Sequence, residues 1–287
     1  MSTLNNPFAP FDPALRAAFE KNLLAALEED VGSGDLTGLL VPAAEKVRAR
    51  VIVREDAVLC GAPWFEGVMA MLDPAIRLDW KYAEGAFMQA DSEVCAIEAP
   101  ARALLTGERS ALNFLQLLSG VATATRQYVQ VVAGTSAAIL DTRKTLPSMR
   151  LAQKYAVRVG GGKNQRLALY DGILIKENHI AASGGIAAAI RAAQDLNAGV
   201  SIQIEVENLD ELHQALAAGA TSILLDNFSL EMMREAVGIT AGRAVLEASG
   251  GVNMVTVRAI AETGVDRISI GSLTKDVKAT DYSLRVL

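Results

Sequence analysis

Histidine and cysteine are scarce in this sequence, with two residues of each: His179, His213, Cys60 and Cys95. No two of these four lie close together along the chain, so the short ligand spacing of a zinc site is missing. No pairing of serine or cysteine with histidine suggests a catalytic nucleophile either. If the protein holds a metal, we expect a hard cation such as Mg²⁺ on carboxylate oxygens.

Long apolar runs are also missing, since no stretch approaches the roughly 18 residues that suggest a membrane-spanning helix. The N-terminal residues show no basic region followed by an apolar core, so we expect no signal peptide. Cys60 and Cys95 are then expected to be reduced core residues, and the protein to be cytoplasmic. The formal net charge of −6 argues against nucleic acid as a partner.

Positive charge is nevertheless concentrated in residues 141–179. This stretch carries eight basic and three acidic side chains: Arg143, Lys144, Arg150, Lys154, Arg158, Lys163, Arg166 and Lys176, with Asp141, Asp171 and Glu177. Solvated helix faces are one explanation. However, the cations follow apolar runs and flank the backbone of Gly160, Gly161 and Gly162, which favours a focused site for a small, highly charged anion.

The first part of the chain predicts an α+β domain over residues 1–132. Apolar periodicity predicts a helix over 13–29 and a long helix over 104–132. Alternation predicts a half-buried strand over 47–53, and further strands are expected near 57–61, 76–80 and 93–99. Because these strands follow one another without a helix after each, we expect an antiparallel sheet.

From residue 133 to 275 the pattern changes to alternating strands and helices. Six apolar runs predict strands, at 137–140, 172–175, 201–205, 222–225, 244–248 and 267–270. Amphipathic stretches predict helices near 147–159, 184–197, 208–218, 229–240 and 253–263. This alternation indicates a parallel sheet, either open or closed into a barrel. We expect residues 276–287 to pack back on the N-terminal domain.

Polar or small residues follow every one of these six predicted strands. They are Asp141, Thr142, Arg143 and Lys144, then Lys176, Glu205, Asp226, Asn227, Ser249, Gly250, Gly251, Gly271 and Ser272. In parallel α/β folds, sites are built from the loops at the carboxyl ends of the strands. We therefore predict a functional site at this edge.

The residue types at this edge suggest different tasks. Gly250-Gly251 and Gly271-Ser272 suit close approach of backbone amides to a phosphate, with ordinary helix-start capping as the alternative. Glu205 and Asp226 could hold Mg²⁺ or ribose hydroxyls, or be buried partners of nearby cations. The cations suit carboxylate or phosphate oxygens. GGGKN is not a P-loop, because no Ser or Thr follows Lys163.

Several segments together resemble the quinolinate phosphoribosyltransferase family. They are EDVGSGDLT, LLTGERSALNFLQLLSGVAT, LDTRKTLPSMR, KYAVRVGGGKNQR, LIKENHI, IEVENLDEL, LLDNF and GVDRISIGSLTK. The resemblance implies an N-terminal α/β sandwich-like domain, a C-terminal incomplete α/β barrel of about seven strands, and a homodimer. It also implies a Mg²⁺-dependent transfer of the phosphoribosyl group from phosphoribosyl pyrophosphate (PRPP) to quinolinate, with decarboxylation, in NAD biosynthesis.

The resemblance assigns roles by motif. Arg109, which in isolation looks like surface charge beside Glu108, would reach into the partner subunit's pocket. The quinolinate carboxylates and the pyrophosphate would be held there by Arg109, Arg143, Lys144, Arg166 and Lys176, and Thr142 would be a further substrate-binding residue. Glu205 and Asp226 would hold ribose hydroxyls and Mg²⁺, and the loops at Ser249-Gly250-Gly251 and Gly271-Ser272 the 5′-phosphate. Lys144, Lys176, Glu205 and Asp226 are the expected catalytic residues.

Two positions depart from the family pattern. Gln165 stands where histidine is usual, and we expect it to position the neighbourhood of Arg166. Ser148 replaces a usual glycine after Pro147, which we interpret as local loop variation. The rival functions are a paralogue related to molybdenum transport, a Schiff-base lyase that uses Lys176, and a non-enzymatic sensor of a polyanionic metabolite.

Overall fold

Helices and strands cover most of the chain in a computed structural model that describes residues 2–287. The helices are α1 Pro13–Val31, α2 Ala62–Leu72, α3 Ala101–Val131, α4 Arg150–Val159, α5 Glu177–Ser183, α6 Ile186–Asp195, α7 Leu209–Ala217, α8 Leu230–Thr240, α9 Val257–Ala261 and α10 Ser272–Lys275. The strands are β1 Lys46–Val53, β2 Ala57–Val58, β3 Arg77–Trp80, β4 Phe87–Met88, β5 Glu93–Pro100, β6 Ala138–Leu140, β7 Gly172–Ile175, β8 Ser201–Val206, β9 Ser222–Asp226, β10 Val245–Ser249, β11 Arg267–Ser269 and β12 Tyr282–Val286. Within residues 2–287, no helix combines the length and the apolarity needed to cross a bilayer.

The first of two compact units is assembled from three separate segments of the chain. It contains the residues up to Arg126 together with Thr145–Gly161 and Thr274–Leu287. Its main sheet has the order β12-β1-β5-β3 and is antiparallel throughout, which confirms the predicted antiparallel sheet. α4 belongs to this unit, although the sequence boundaries put its residues in the barrel domain.

An aromatic cluster lies at the centre of this first unit. The Trp64 ring centroid lies 5.5 Å from that of Phe11, 5.3 Å from Phe19 and 5.3 Å from Tyr155. Trp64 and the adjacent Phe65 are fully buried. Burial of such side chains contributes roughly 1.5–3 kcal/mol each, so this cluster is a major source of stability for the unit.

Ser148 occupies a backbone conformation that suits glycine, which gives a physical reason for the glycine that the family usually has here but no reason for the serine. Its φ is +61°, in the left-handed region where a Cβ is strained.

We expect Ser148→Gly to raise the free energy of unfolding by about 0.5–1 kcal/mol, because the lost strain exceeds the entropy cost of glycine. Urea unfolding would measure this. Ser183→Gly, inside α5, is the matched control and should destabilise; a loss of stability in Ser148→Gly as well would refute the account.

The second unit is a parallel α/β structure. It contains Gln127–Lys144 and Gly162–Leu273, and its six strands have the order β6-β11-β10-β9-β8-β7, with each neighbouring pair parallel. A single parallel bridge joins Leu140 to Lys163 on the outer side of β6. The sheet therefore has six strands and one bridge where the resemblance implied about seven strands. Among the described residues, β6 and β7 are its edges, so the barrel is incomplete as expected.

The strands of this unit lie within one or two residues of their predicted positions, whereas two helices, α5 and α10, were not predicted. α5 covers residues 177–183, for which the sequence predicted no element. It ends before Gly184 and Gly185, which have φ of +83° and +119° and separate it from α6. The predicted helix at 184–197 is therefore α6 alone, beginning after this glycine pair.

Candidate functional site

The predicted site residues of the second unit lie at one edge of its sheet. Apart from Arg166, which lies in the segment before β7, each lies in the last two residues of one of the six parallel strands or in the loop that follows it. Pairing fixes which faces they share, because Glu205 aligns with Leu224, Leu224 with Glu247, and Asp226 with Ser249. Aligned residues of neighbouring strands point to the same side, as do residues two apart. Glu205, Asp226 and Ser249 therefore share one face.

Lys176 and Glu205 form an ion pair at this edge. Lys176 Nζ lies 3.2 Å from a carboxylate oxygen of Glu205, whose side chain is 10% exposed, compared with 46% for Lys176. The pKa of the Glu205 carboxyl is raised from its ordinary value, chiefly by burial, and the negative charge of Asp226 adds to the rise while Lys176 opposes it. The pairing that the sequence left as an alternative for Glu205 is thus present, and it lies inside the site.

The ends of β9 and β10 are held together by an asparagine and a glycine. Asn227 Nδ2 donates a hydrogen bond to Asp226 Oδ2 at 3.0 Å, and its backbone N–H donates to the Ser249 carbonyl at 2.9 Å. At Gly250, φ is +101° and a Cβ would lie 2.1 Å from Asn227 Oδ1. Only glycine fits this contact, so Gly250 fixes the orientation of Asn227 and, through it, of Asp226.

The ends of β6 and β11 meet in a similar way. Thr142 Oγ1 accepts a hydrogen bond from the Lys144 backbone N–H at 3.0 Å. A Cβ at Gly271 would lie 3.1 Å from Lys144 Cδ and 3.7 Å from Thr142 Oγ1, so the lysine stem packs against the glycine. Ser272 begins the short helix α10, and Gly251 has open space above it.

Arg143 and Arg166 form a second concentration of positive charge. Burial lowers the pKa of the Arg166 guanidinium from its ordinary value, and the positive charge of Arg143 lowers it further. Arg166 Nη1 also donates to the Gly172 carbonyl at 2.9 Å, which fixes the side chain. Two arginines close enough to repel each other suit a ligand with more than one negative charge.

Two of the acidic residues in the basic stretch serve structure. Asp141 is buried and accepts hydrogen bonds from Asn164 Nδ2 at 2.6 Å and from the Gln165 backbone N–H at 2.9 Å. Asp171 accepts from the backbone N–H groups of Leu167 and Ala168, both at 2.7 Å. These carboxylates hold the segment that carries Arg166.

Three other cations of the stretch belong to the first unit, in its segment Thr145–Gly161. Lys154 is buried in the first unit. Arg158 lies over the ring of Tyr155, with 5.9 Å between the guanidinium carbon and the ring centroid. Arg150 donates to Thr145 Oγ1 at 3.1 Å. The cations of the stretch are therefore divided between the two units, and the site predicted from the sequence includes four of them.

Gln165 lies in a polar network that the sequence did not predict. Its Nε2 lies 2.9 Å from Gln203 Oε1 and 3.0 and 2.9 Å from the two carboxylate oxygens of Glu247. Gln203 Nε2 donates to Glu247 at 3.0 Å. One polar residue inside each apolar run, Gln203 in SIQIE and Glu247 in AVLEA, is the sequence signal that could have indicated them.

Arg109 belongs to the first unit, whereas the strand-end residues belong to the second. It is exposed on α3, one helical turn after Leu105, which is also exposed. Within the first unit nothing marks Arg109 as functional apart from this exposure, so its assignment depends on the motif that contains it.

The donor set at this edge fits Mg²⁺ in only one coordination mode. Among residues 2–287, no group of three or more His, Cys, Asp and Glu side chains is placed to hold a metal. Glu205 and Asp226 are two carboxylates near enough for one to shift the pKa of the other. Mg²⁺ is commonly held by one or two carboxylates together with phosphate oxygens of a substrate, and this pair fits that mode.

Comparison with known proteins covers both units. The family model for the quinolinate phosphoribosyl transferase N-terminal domain matches residues 35–119, and that for the C-terminal domain matches residues 121–285. A Bacillus subtilis protein named probable nicotinate-nucleotide pyrophosphorylase (carboxylating) is 39% identical over 260 residues, covering 90% of each chain. A Mycobacterium leprae protein named nicotinate-nucleotide pyrophosphorylase (carboxylating) is 40% identical over 269 residues, covering 90% of this chain and 94% of the relative. The structure of the nicotinate-nucleotide pyrophosphorylase from Francisella tularensis matches with a TM-score of 0.92 at 44% identity, covering 94% of this chain and 96% of the other.

Proposed function

The chain belongs to the quinolinate phosphoribosyltransferase family, and we propose that it transfers the phosphoribosyl group of PRPP to quinolinate. The products are nicotinate mononucleotide, pyrophosphate and CO₂, a step of NAD biosynthesis. The proposal rests on the set of residues found at the carboxyl ends of the parallel strands. Three cations, two carboxylates and two small-residue loops, which the family motifs assign to these ligands, lie at the carboxyl ends of strands of the same parallel sheet, and a fourth cation, Arg166, lies in the segment before β7.

The cations would hold the negative groups of both substrates. Arg143, Lys144, Arg166 and Lys176 would bind the two quinolinate carboxylates and the pyrophosphate, each charge-assisted hydrogen bond contributing roughly 1.5–3 kcal/mol. The repulsion between Arg143 and Arg166 supports this assignment, because a multiply charged anion between them relieves it. Lys176 Nζ is paired with the Glu205 carboxylate, which supports a binding role rather than a nucleophilic amine.

The carboxylates and the small residues would hold the sugar phosphate. Glu205 and Asp226 would accept hydrogen bonds from the ribose hydroxyls and hold Mg²⁺, which when bound offsets the charge of the departing pyrophosphate. The backbone at Ser249-Gly250-Gly251 and at Gly271-Ser272 would receive the 5′-phosphate, as loops after the last strands of α/β barrels often do. Gly250 is then required both by Asn227 and by the phosphate.

The chemistry needs positioning and charge stabilisation, with no protein nucleophile. The quinolinate nitrogen forms a bond to the ribose anomeric carbon as the bond from that carbon to the pyrophosphate oxygen breaks. The bond from C2 of the ring to its carboxyl group then breaks, releasing CO₂. Its electron pair remains at C2 beside the positively charged nitrogen, where it takes up a proton. The cations at the strand ends stabilise the leaving charge in a preorganised site.

We further propose a homodimer in which Arg109 completes the partner's site. Among the exposed leucines of the first unit, four lie after Asp35 or on α3, where their exposure would be costly in a monomer: Leu36 at 82%, Leu39 at 64%, Leu40 at 83% and Leu105 at 39%. Thr106 Oγ1 donates to Asp35 Oδ2 at 2.8 Å, which ties the segment that follows Asp35 to α3. A second copy that covered these leucines would also contact Arg109, one turn from Leu105.

A direct assay tests the proposed reaction. With quinolinate, PRPP and Mg²⁺, we expect CO₂ and pyrophosphate to be released in equal amounts, whereas nicotinate in place of quinolinate should give neither product. Borohydride added during turnover should trap no adduct on Lys176, which separates the proposal from a Schiff-base lyase. Ligand binding without pyrophosphate release, or turnover of nicotinate, would overturn it.

A further inference from the structure

A layer of polar side chains lies directly beneath the candidate site. Gln203 is two residues before Glu205 on β8, and Glu247 is two residues before Ser249 on β10. Residues two apart on a strand share a face, so Gln203 and Glu247 point to the same side as the site residues, one layer further down. Gln165 joins them from the segment before β7. These three residues form the floor network.

The floor network buries a carboxylate that is held by neutral groups. Glu247 is fully buried and Gln203 is 6% exposed. Gln165 and Gln203 both donate side-chain N–H groups to the Glu247 carboxylate. Burying a carboxylate is strongly unfavourable unless hydrogen bonds compensate it. The two amides therefore have to point their nitrogens at Glu247, and this requirement fixes their orientation.

The orientation of Gln165 reaches the site through the backbone of its neighbour. With its nitrogen on Glu247, Gln165 presents its Oε1 to the Arg166 backbone N–H, which donates to it at 2.7 Å. An inverted amide would place N–H against N–H there and oxygen against the carboxylate. The charge of Glu247 is thus linked in two steps to the backbone position of Arg166, a residue placed among the substrate-binding cations.

We propose that Glu247 and Gln203 are positioning residues that fix Arg166 through the amide of Gln165. This inference rests on the proposed function, because Arg166 is assigned there to the carboxylates of quinolinate and to pyrophosphate. A displaced Arg166 weakens its contacts with the quinolinate carboxylates, which carry their charge both in the bound substrate and in the transition state of phosphoribosyl transfer. The effect should therefore appear in KM more than in kcat.

The test compares Glu247→Gln with a double variant in which the carboxylate of residue 247 and the amide of residue 165 are exchanged. Glu247→Gln leaves three amides facing one another, so Gln165 loses the charge that orients it. We expect KM for quinolinate to rise about tenfold, with kcat within about threefold of wild type. Gln165→Glu combined with Glu247→Gln restores one carboxylate between two amides and keeps an oxygen for the Arg166 N–H. It should return KM to within about threefold of wild type.

Glu84→Gln is the matched control. Glu84 is another buried glutamate, in the first unit, and its replacement should alter stability while leaving KM for quinolinate unchanged. If Glu247→Gln leaves KM unchanged, or if the double variant shows no recovery, the positioning role is wrong and the network is structural. If Glu247→Gln does not fold, KM of the double variant alone decides between these outcomes.

A wrong proposed reaction and a wrong positioning role for Glu247 give different experimental results. Wild-type protein that releases no CO₂ from quinolinate and PRPP refutes the function. Calorimetric binding of quinolinate to the wild type and to both variants then still reports whether Glu247 orients Arg166. An unchanged Kd in Glu247→Gln, or one that the double variant does not restore, overturns the inference whatever the activity.

Discussion

Arg109→Ala and Lys176→Ala homodimers are each expected to lose CO₂ release entirely, whereas an equal mixture with exchanged subunits should recover about a quarter of wild-type turnover. In the mixed dimer, the Arg109→Ala subunit keeps its own Lys176 and receives Arg109 from its partner, so one of its two sites is complete. Random exchange makes about half of the dimers mixed. Turnover of the mixture, measured before and after subunit exchange, gives the result.

The control for this experiment uses two residues of the same unit. Arg143→Ala mixed with Lys176→Ala should recover nothing, because Arg143 and Lys176 are both assigned to their own subunit's pocket. If the Arg109→Ala and Lys176→Ala mixture also stays inactive after confirmed exchange, Arg109 acts within its own subunit. Recovery of CO₂ release in both mixtures would mean that Arg143 and Lys176 of one subunit do not act in the same pocket.

Replacing Glu84 is expected to remove a large pH dependence of stability from the first unit. Glu84 is buried and accepts hydrogen bonds from the backbone N–H groups of Gly61 and Ala62, at the start of α2, and from the Tyr155 hydroxyl. Burial raises its pKa from 4.5 to about 7, against the opposing effect of these hydrogen bonds. Glu84 is thus the group of the first unit whose ionisation in the neutral range costs stability.

The direction of this pH dependence follows from the number of protons that the folded and the unfolded chain bind. Between pH 4.5 and about 7 the folded protein binds more protons at Glu84 than the unfolded chain does, so the free energy of unfolding falls as pH rises. The loss attributable to Glu84 amounts to about 3 kcal/mol between pH 4.5 and pH 8. Urea unfolding at a series of pH values should show this decline in the wild type and not in Glu84→Gln. The exposed Glu29→Gln is the control, and equal slopes in all three proteins would contradict the prediction.

Much of the candidate site could be predicted because strand ends are a local property of the sequence. Short apolar runs mark β6 to β11, and the residues that follow them are the ones found together. The pairing of Lys176 with Glu205 was open beforehand, since the order of strands in the sheet places β7 beside β8 and no single segment shows that.

Other features depend on contacts between segments that no local pattern reports. The floor network needs the alignment of β8 with β9 and of β9 with β10 before Gln203 and Glu247 can be placed on one face. Ser148 looked like neutral variation because backbone dihedrals are not visible in residue type. α5 was not predicted because its seven residues contain too few apolar positions for a helical period to be recognised.

The composition of the first unit from three separate segments has a consequence for the order in which the protein is made. Val53 of β1 pairs with Tyr282 of β12, so during synthesis one side of β1 remains unpaired until the residues of β12 have left the ribosome. An unpaired strand edge is prone to pair with other chains, and pairings distant in sequence form slowly. The newly made chain is therefore exposed to aggregation through this edge from the time that β1 is complete until β12 has been made.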